Sequence, residues 1–313
     1  MERICYNLSI KLERRVVMGV FLMLLSSLFF TLSTFFGKLV SNYTEMDAVV
    51  TSFVRYFLGA TGLGAFMFFK GISFKPVMKK PVFIRSALNA SALILLTASL
   101  NYTTITNANM IHLTYPVFVF LLARFVTGEK LKPSAFIYLF LILVGSYIVS
   151  DPHLKSINIG DLIAFTSAFF AGTSILYLTE ARKTESSIII LFYLMFIGTF
   201  LNFPFVVEDI GLLSLDSAGI VLLAAGTGFL GQVFTTEGFK YVGSATGSML
   251  SSSRMVMAAM MGYFFLSEPL NLRIISGIVL ISIALLGVSG YFNVLAGKFH
   301  KNRDINKSQE AEK

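Results

Sequence analysis

Ten long apolar runs occupy most of the chain, at about residues 16–40, 48–69, 83–104, 107–127, 133–150, 160–180, 187–207, 217–237, 243–266 and 272–293. A helix needs about 20 mostly apolar residues to cross the hydrocarbon core of a bilayer. Inside that core every backbone N–H and C=O must be satisfied internally, so only helices and closed barrels span it. Barrel strands alternate polar and apolar over about ten residues, whereas these runs are continuous, as from Phe136 to Val149. The expected fold class is therefore an all-α polytopic membrane protein with ten transmembrane helices. Charged residues make up 13% of the chain, against about 25% in soluble domains. That excludes a soluble fold, a disordered chain and a nucleic-acid binder. One cysteine, Cys5, excludes a disulfide framework, and His112, His153 and His300 are too scattered for a metal cluster. Neither a metal nor another cofactor is expected.

The first run follows Arg14 and Arg15. A signal peptide starts the same way, but its apolar region is about 7–15 residues long. Val16 to Val40 exceeds that, so a retained helix is expected, with residues 1–15 as an N-terminal cytoplasmic segment. Residues 294–313 are charged and aperiodic, and a disordered cytoplasmic tail is expected there. Charge sets the orientation. With ten crossings and a cytoplasmic N-terminus, nineteen of the 25 Lys and Arg fall inside, including Lys70, Lys75, Lys79, Lys80 and Arg85 in the second loop. Only Lys155 and Arg273 fall outside, while Lys38, Arg55, Arg124 and Arg254 lie within runs. The positive-inside rule then puts both termini in the cytoplasm, in a plasma or inner membrane.

Residues 102–150 align with 241–289 at a constant offset of 139, with Tyr102/Tyr241, Phe125/Phe264, Glu129/Glu268 and Leu131/Leu270 among the identities. Each Glu ends a long apolar run and is followed two residues later by Leu. The chain divides into residues 16–150 and 151–293, with five runs in each half. An odd number per half forces opposite orientations, the inverted-repeat logic of many secondary transporters, whose substrate sites lie near the midplane between the halves.

Asn101-Tyr102, Ala108-Asn109, Tyr115-Pro116-Val117-Phe118, Gly128-Glu129-Lys130-Leu131 and Gly145, echoed by Tyr241, Ser267-Glu268-Pro269-Leu270 and Gly277, resemble the drug/metabolite transporter superfamily, specifically its EamA-type members. Arg55 also fits the pattern. The resemblance covers about residues 16–293. It implies an inverted 5+5 ten-helix fold that carries small metabolites, with precedents among amino acids and related compounds, S-adenosylmethionine included. The chain departs from the pattern at one place: the position matching Pro116 is Met255, preceded by Arg254. No helix break is expected in the ninth run on that ground.

Arg254 is the sharpest candidate. A mid-membrane arginine costs at least about 2.5–3.5 kcal/mol on insertion scales, so it faces protein or a cavity. It can bind a carboxylate or phosphate through its forked donors, with Ser251 one turn earlier, or it can pair structurally with Glu237 or helix carbonyls. Asn109, His112 and Tyr115 share a helix face at three-residue spacing. They form a cavity wall, with His112 able to titrate near neutral pH, or they bond neighbouring helices. Pro116 frees backbone groups there. Gln232, with Thr235 and Thr236, lines the eighth run. Glu237 pairs with Lys240 on the helix surface or serves as a coupling carboxylate. Asn89, Asn101, Thr173 and Tyr177 are further cavity candidates. Arg55 is read as structural, near Glu45 and Asp47. Glycines at 59, 62, 64, 243, 247 and 262 allow close helix contact, and leave a homodimer open.

These features favour a secondary transporter of a small polar metabolite bearing an anionic group. The alternatives are a non-transporting component of a larger assembly and an intramembrane enzyme. No histidine precedes a Glu, as a His-Glu-x-x-His zinc motif requires. Gly-x-Ser-x-Gly is absent too, and no catalytic residue is expected.

Overall fold

The computed structural model describes residues 2–43, 48–151, 158–207, 215–267 and 269–290. They form twelve α-helices: α1 (Glu2–Tyr43), α2 (Ala48–Phe69), α3 (Lys79–Ser99), α4 (Ile105–His112), α5 (Tyr115–Val126), α6 (Pro133–Ser150), α7 (Ile159–Ala181), α8 (Ser187–Asn202), α9 (Leu215–Gly238), α10 (Ser244–Leu250), α11 (Ser253–Leu266) and α12 (Leu272–Val288). A short 3-10 turn follows α8, and no strand occurs among the described residues. Eight segments are long and apolar enough to cross a membrane, with α4 and α5 together making one of them. The α10–α11 pair and the 17-residue α12 complete ten crossings. The charged tail after residue 293 lies outside the described residues, as do Glu45, Asp47, His153 and Glu268.

Local chemistry sets the helix ends. Asn158 and Asp161 form a reciprocal capping box at the start of α7, and the side chains of Thr104, Ser186 and Asn271 accept the N3 amides of α4, α8 and α12. Such caps satisfy amides that a helix start leaves without partners. The repeat is also written in the backbone. Gly128 ends α5 at φ 70° and Ser267 ends α11 at φ 55°. Asp151 ends α6 at φ 45° and Gly290 follows α12 at φ 81°. Both pairs stand 139 residues apart, so each left-handed stop is conserved in position while the residue type is not.

The ninth crossing is broken, contrary to the sequence expectation. α10 stops at Leu250 and α11 starts at Ser253, as α4 stops at His112 and α5 starts at Tyr115. Proline does not make the second break. At both places the backbone tightens to three-residue bonds: Thr114 N–H to Ile111 O at 3.1 Å, and Ser252 N–H to Met249 O at 3.0 Å. Hydroxyls of Thr114, Ser248 and Ser251 bond back to carbonyls three or four residues earlier, competition that bends helices.

Packing follows a two-fold exchange of the halves. α1 packs along α9 and α3 along α7; α2 crosses α9 and α3 crosses α8; α5 leans on α7 and α11 on α1; α2 meets α8, and α6 meets α12. Swapping each helix for its repeat partner maps this set onto itself. Five crossings per half make the halves run oppositely, so the axis lies in the membrane plane. The main contacts join one half to the other, so the halves interleave. At the α6–α12 crossing, a β-carbon added to Gly277 would fall 2.8 Å from the Gly145 carbonyl oxygen, an approach only a missing side chain permits. Outward, Phe125, Phe69 and Leu272 are more than four-fifths exposed, as suits a lipid-facing surface. The interior packs Val119, Ala123, Ala168, Leu176 and Ile190 around α7.

Candidate functional site

A cavity of about 600 Å³ lies between the halves, within the size range of small-molecule sites. Its walls come from α1, α2, α3, the α4–α5 break, α9 and α11. Lys38, Val149, Pro269 and Ile274 stand at its rim, all near helix ends on one face of the bundle. The helix ends on the other face, at Phe69, Lys79, Val126 and Gly238, contribute nothing to it.

The two helix breaks meet at its floor. Tyr115 begins α5, and its hydroxyl donates to the carbonyl oxygen of Ser248 at 3.4 Å, just before the other break. Gly172 on α7 holds this point close: a β-carbon there would fall 2.7 Å from the Tyr115 carbonyl oxygen. His112 ends α4, with Nδ1 2.8 Å from Ser167 Oγ. Ser167 donates its single proton to the Ala92 carbonyl at 2.6 Å, so it accepts from His112 Nδ1–H. Nε2 is then the ring nitrogen left for other partners.

Cations dominate the polar lining. Arg254 lies in the cavity with its guanidinium 4.0 Å from the centre of the Phe30 ring, and Arg55 stacks over Tyr56 at 5.1 Å. Arg85 is 1% exposed and donates from Nη1 to Ser174 Oγ at 2.8 Å. Nε of Arg85, Nε of Arg254 and Nε2 of Gln232 are buried donors with no hydrogen-bond partner. No Asp or Glu is among the described lining residues.

The closed face carries carboxylates instead. Glu129 Oε2 accepts from Ser244 N–H at 2.9 Å and from Ser244 Oγ–H at 2.5 Å, tying the α5–α6 turn to the start of α10. Glu237 sits 3.6 Å from Arg182, and Glu185 accepts from Met78 N–H at 2.5 Å. On the rim face, Arg273 pairs with Asp151.

The EamA-like transporter family model matches residues 17–151 and again residues 158–290. The chain belongs to the EamA-like transporter family. An uncharacterized transporter of Helicobacter pylori is 22% identical over 279 residues, covering 86% of this chain and 94% of its own length. One from Archaeoglobus fulgidus is 29% identical over 180 residues, 55% of this chain and 62% of its own. A solved crystal structure superposes with a TM-score of 0.71 over 91% of this chain and 98% of its own, at 13% identity, a likeness of fold alone.

In this EamA-like transporter the cavity gathers Arg254, Tyr115, His112, Asn109, Ser251 and Gln232, with Asn89 and Thr235. Asn101 is not among them. It lies exposed in the turn after α3 ends at Ser99. Tyr177 is excluded by rotation: α7 turns Ala171 and Ile175 inward, and a residue two further on points elsewhere. Thr173 bonds the Phe169 carbonyl and does not line the cavity. Glu237 takes Arg182 as its partner, neither Lys240 nor Arg254. Arg55, read as structural, lines the cavity. Arg85, counted among the loop cations, is buried two turns into α3 and lines the cavity as well. Of the five basic residues read in the second loop, Lys70 and Lys75 precede α3, Lys79 and Lys80 sit in its first turn and Arg85 lies within it.

Proposed function

We propose that this protein is a secondary active transporter that moves a small polar metabolite bearing an anionic group across the cell membrane by alternating access, with both termini in the cytoplasm. The observation that carries this reading is a cavity shared by two inverted halves, with arginines and no carboxylate among its described lining residues, which reach one face of the bundle. A cavity of this size in an EamA-like transporter suits a small metabolite, and one-sided access is what alternating access requires of a single state. Given the charge bias, the rim face is the outside and the face held by Glu129, Glu237 and Glu185 is the cytoplasmic side. Arg254 is the anion site: a half-buried guanidinium just past the helix break, with Tyr115 and Ser251 lining the same cavity, and with His112 Nε2 offering an acceptor to the same ligand.

Binding by thermal shift, followed by flux in proteoliposomes, tests this. Charged hydrogen bonds contribute about 1.5–3 kcal/mol, so Arg254→Ala is expected to weaken a carboxylate-bearing ligand by about 10- to 100-fold. Arg254→Lys keeps the charge and loses the bidentate fork, and is expected to lower transport more than it lowers the unfolding temperature. Normal flux from Arg254→Ala overturns the site assignment.

A further inference from the structure

The balance of groups around the cavity constrains the charge of what enters it. Arg55, Arg85 and Arg254 come from α2, α3 and α11 and converge on one space that Tyr115 also lines. Arg85 is the deepest of them, 1% exposed, with Nη1 held by Ser174 and Nε without a partner. Arg254 Nε and Gln232 Nε2 are likewise buried donors lacking acceptors. Buried donors in folded proteins are nearly all satisfied, so three unpaired donors on residues that line one cavity leave a surplus of N–H groups and positive charge behind its wall, which a ligand rich in acceptors offsets when these side chains turn towards it. An ammonium group has no matching carboxylate among the described lining residues. It would be desolvated next to guanidinium groups of its own sign, which disfavours its charged form.

Resting on the transporter reading above, we propose that the substrate is a compact dianion in the sense of two anionic groups, one at each end, each a carboxylate or a phosphate, the phosphate carrying about −1.5 to −2 at neutral pH. One end is seated on Arg254 with Arg55 beside it, the other on Arg85, and zwitterionic amino acids are excluded. Arg85 is then a specificity-determining residue that separates dianions from monoanions.

The test uses the full chain in proteoliposomes and ligands matched on a small carbon skeleton. Succinate carries two carboxylates, succinamate one, aspartate two plus an ammonium, and alanine is a zwitterion; 3-phosphoglycerate replaces one carboxylate by phosphate. Flux of succinate or 3-phosphoglycerate at least tenfold above succinamate, aspartate and alanine is the expected result, and the preferred one of the pair identifies the second anionic group. Arg85→Gln should lower the succinate-to-succinamate ratio at least fivefold. Arg85→Lys, which retains charge for folding, should lower it less. Aspartate or alanine moving as fast as the dianions overturns the inference while leaving transport intact. Dianion binding by thermal shift without flux of any compound upholds the inference and counts against the transporter reading. Absence of dianion binding and flux together overturns the inference.

Discussion

Replacing Glu129 by Gln measures how firmly the closed face is held. In the structure Glu129 reaches from the α5–α6 turn of the first half to the first residue of α10 in the second, accepting from Ser244 N–H and Oγ–H at 2.9 and 2.5 Å. Hydrogen bonds to a charged acceptor contribute about 1.5–3 kcal/mol and neutral ones about 0.5–1.5. The amide keeps an acceptor oxygen, so the substitution removes about 1 kcal/mol per bond. Glu129 is partly exposed, and water halves such differences at a half-open site. The net loss is about 1 kcal/mol, which multiplies the population open on this face by about five. Ser248 reads that population: it is fully buried, one turn beyond the cap, and its carbonyl meets Tyr115. With Cys5, the lone cysteine, changed to Ser and Ser248→Cys introduced, an impermeant thiol reagent is added on the side of the α5–α6 turn. When opening is fast, labelling tracks the open population. Glu129→Gln should raise the labelling rate about fivefold. A rate unchanged within a factor of two would refute the view that this contact holds the closed face.

Three further outcomes follow from the geometry. Gly172→Ala places a β-carbon 2.7 Å from the Tyr115 carbonyl oxygen; overpacking of this kind costs about 1–3 kcal/mol, and both unfolding temperature and flux should fall. Ser267 holds a left-handed backbone at φ 55°, a conformation costing an L-residue about 1 kcal/mol, so Ser267→Gly should raise the unfolding temperature and Gly128→Ala should lower it. Reporter fusions at Lys79 and Asp209 should report opposite sides of the membrane, and a shared side would remove the ten-span topology.

What could be read from the chain depended on how local the signal was. Span positions were legible because a bilayer demands a continuous apolar run, and the offset of 139 was legible because it preserves Glu and Leu at matched places. The face of Asn109, His112 and Tyr115 was legible because three-residue spacing survives into the structure. Asn101 and Tyr177 fall outside the cavity for related reasons. A polar residue on an apolar run reaches the cavity only if the backbone there is turned inward, and that does not show in composition. The break after Leu250 was hidden because proline is only one way to interrupt a helix. Ser248 and Ser251, two of the four serines between 248 and 253, do so through back-bonding, and a serine run is a usable sign of this elsewhere.

Arg85 shows where local reading ends. Its neighbours Lys79 and Lys80 are basic, and at the very start of the 83–104 run an arginine reads as one more inside cation. Its partner, Ser174, lies 89 residues away on α7, and only the α3–α7 packing brings them together. Burying an arginine without a carboxylate costs several kcal/mol in principle, and one neutral hydroxyl does not offset that. The same holds for Arg254, whose guanidinium lies over the Phe30 ring and which meets no carboxylate among the described lining residues of the cavity. A fold that keeps two such guanidiniums uncompensated at the meeting point of its halves stores unfavourable electrostatic energy there, and an anion entering the cavity relieves it. Binding of the proposed anionic substrate would therefore act on the site where the two halves touch, which is where the proposed change of access has to begin.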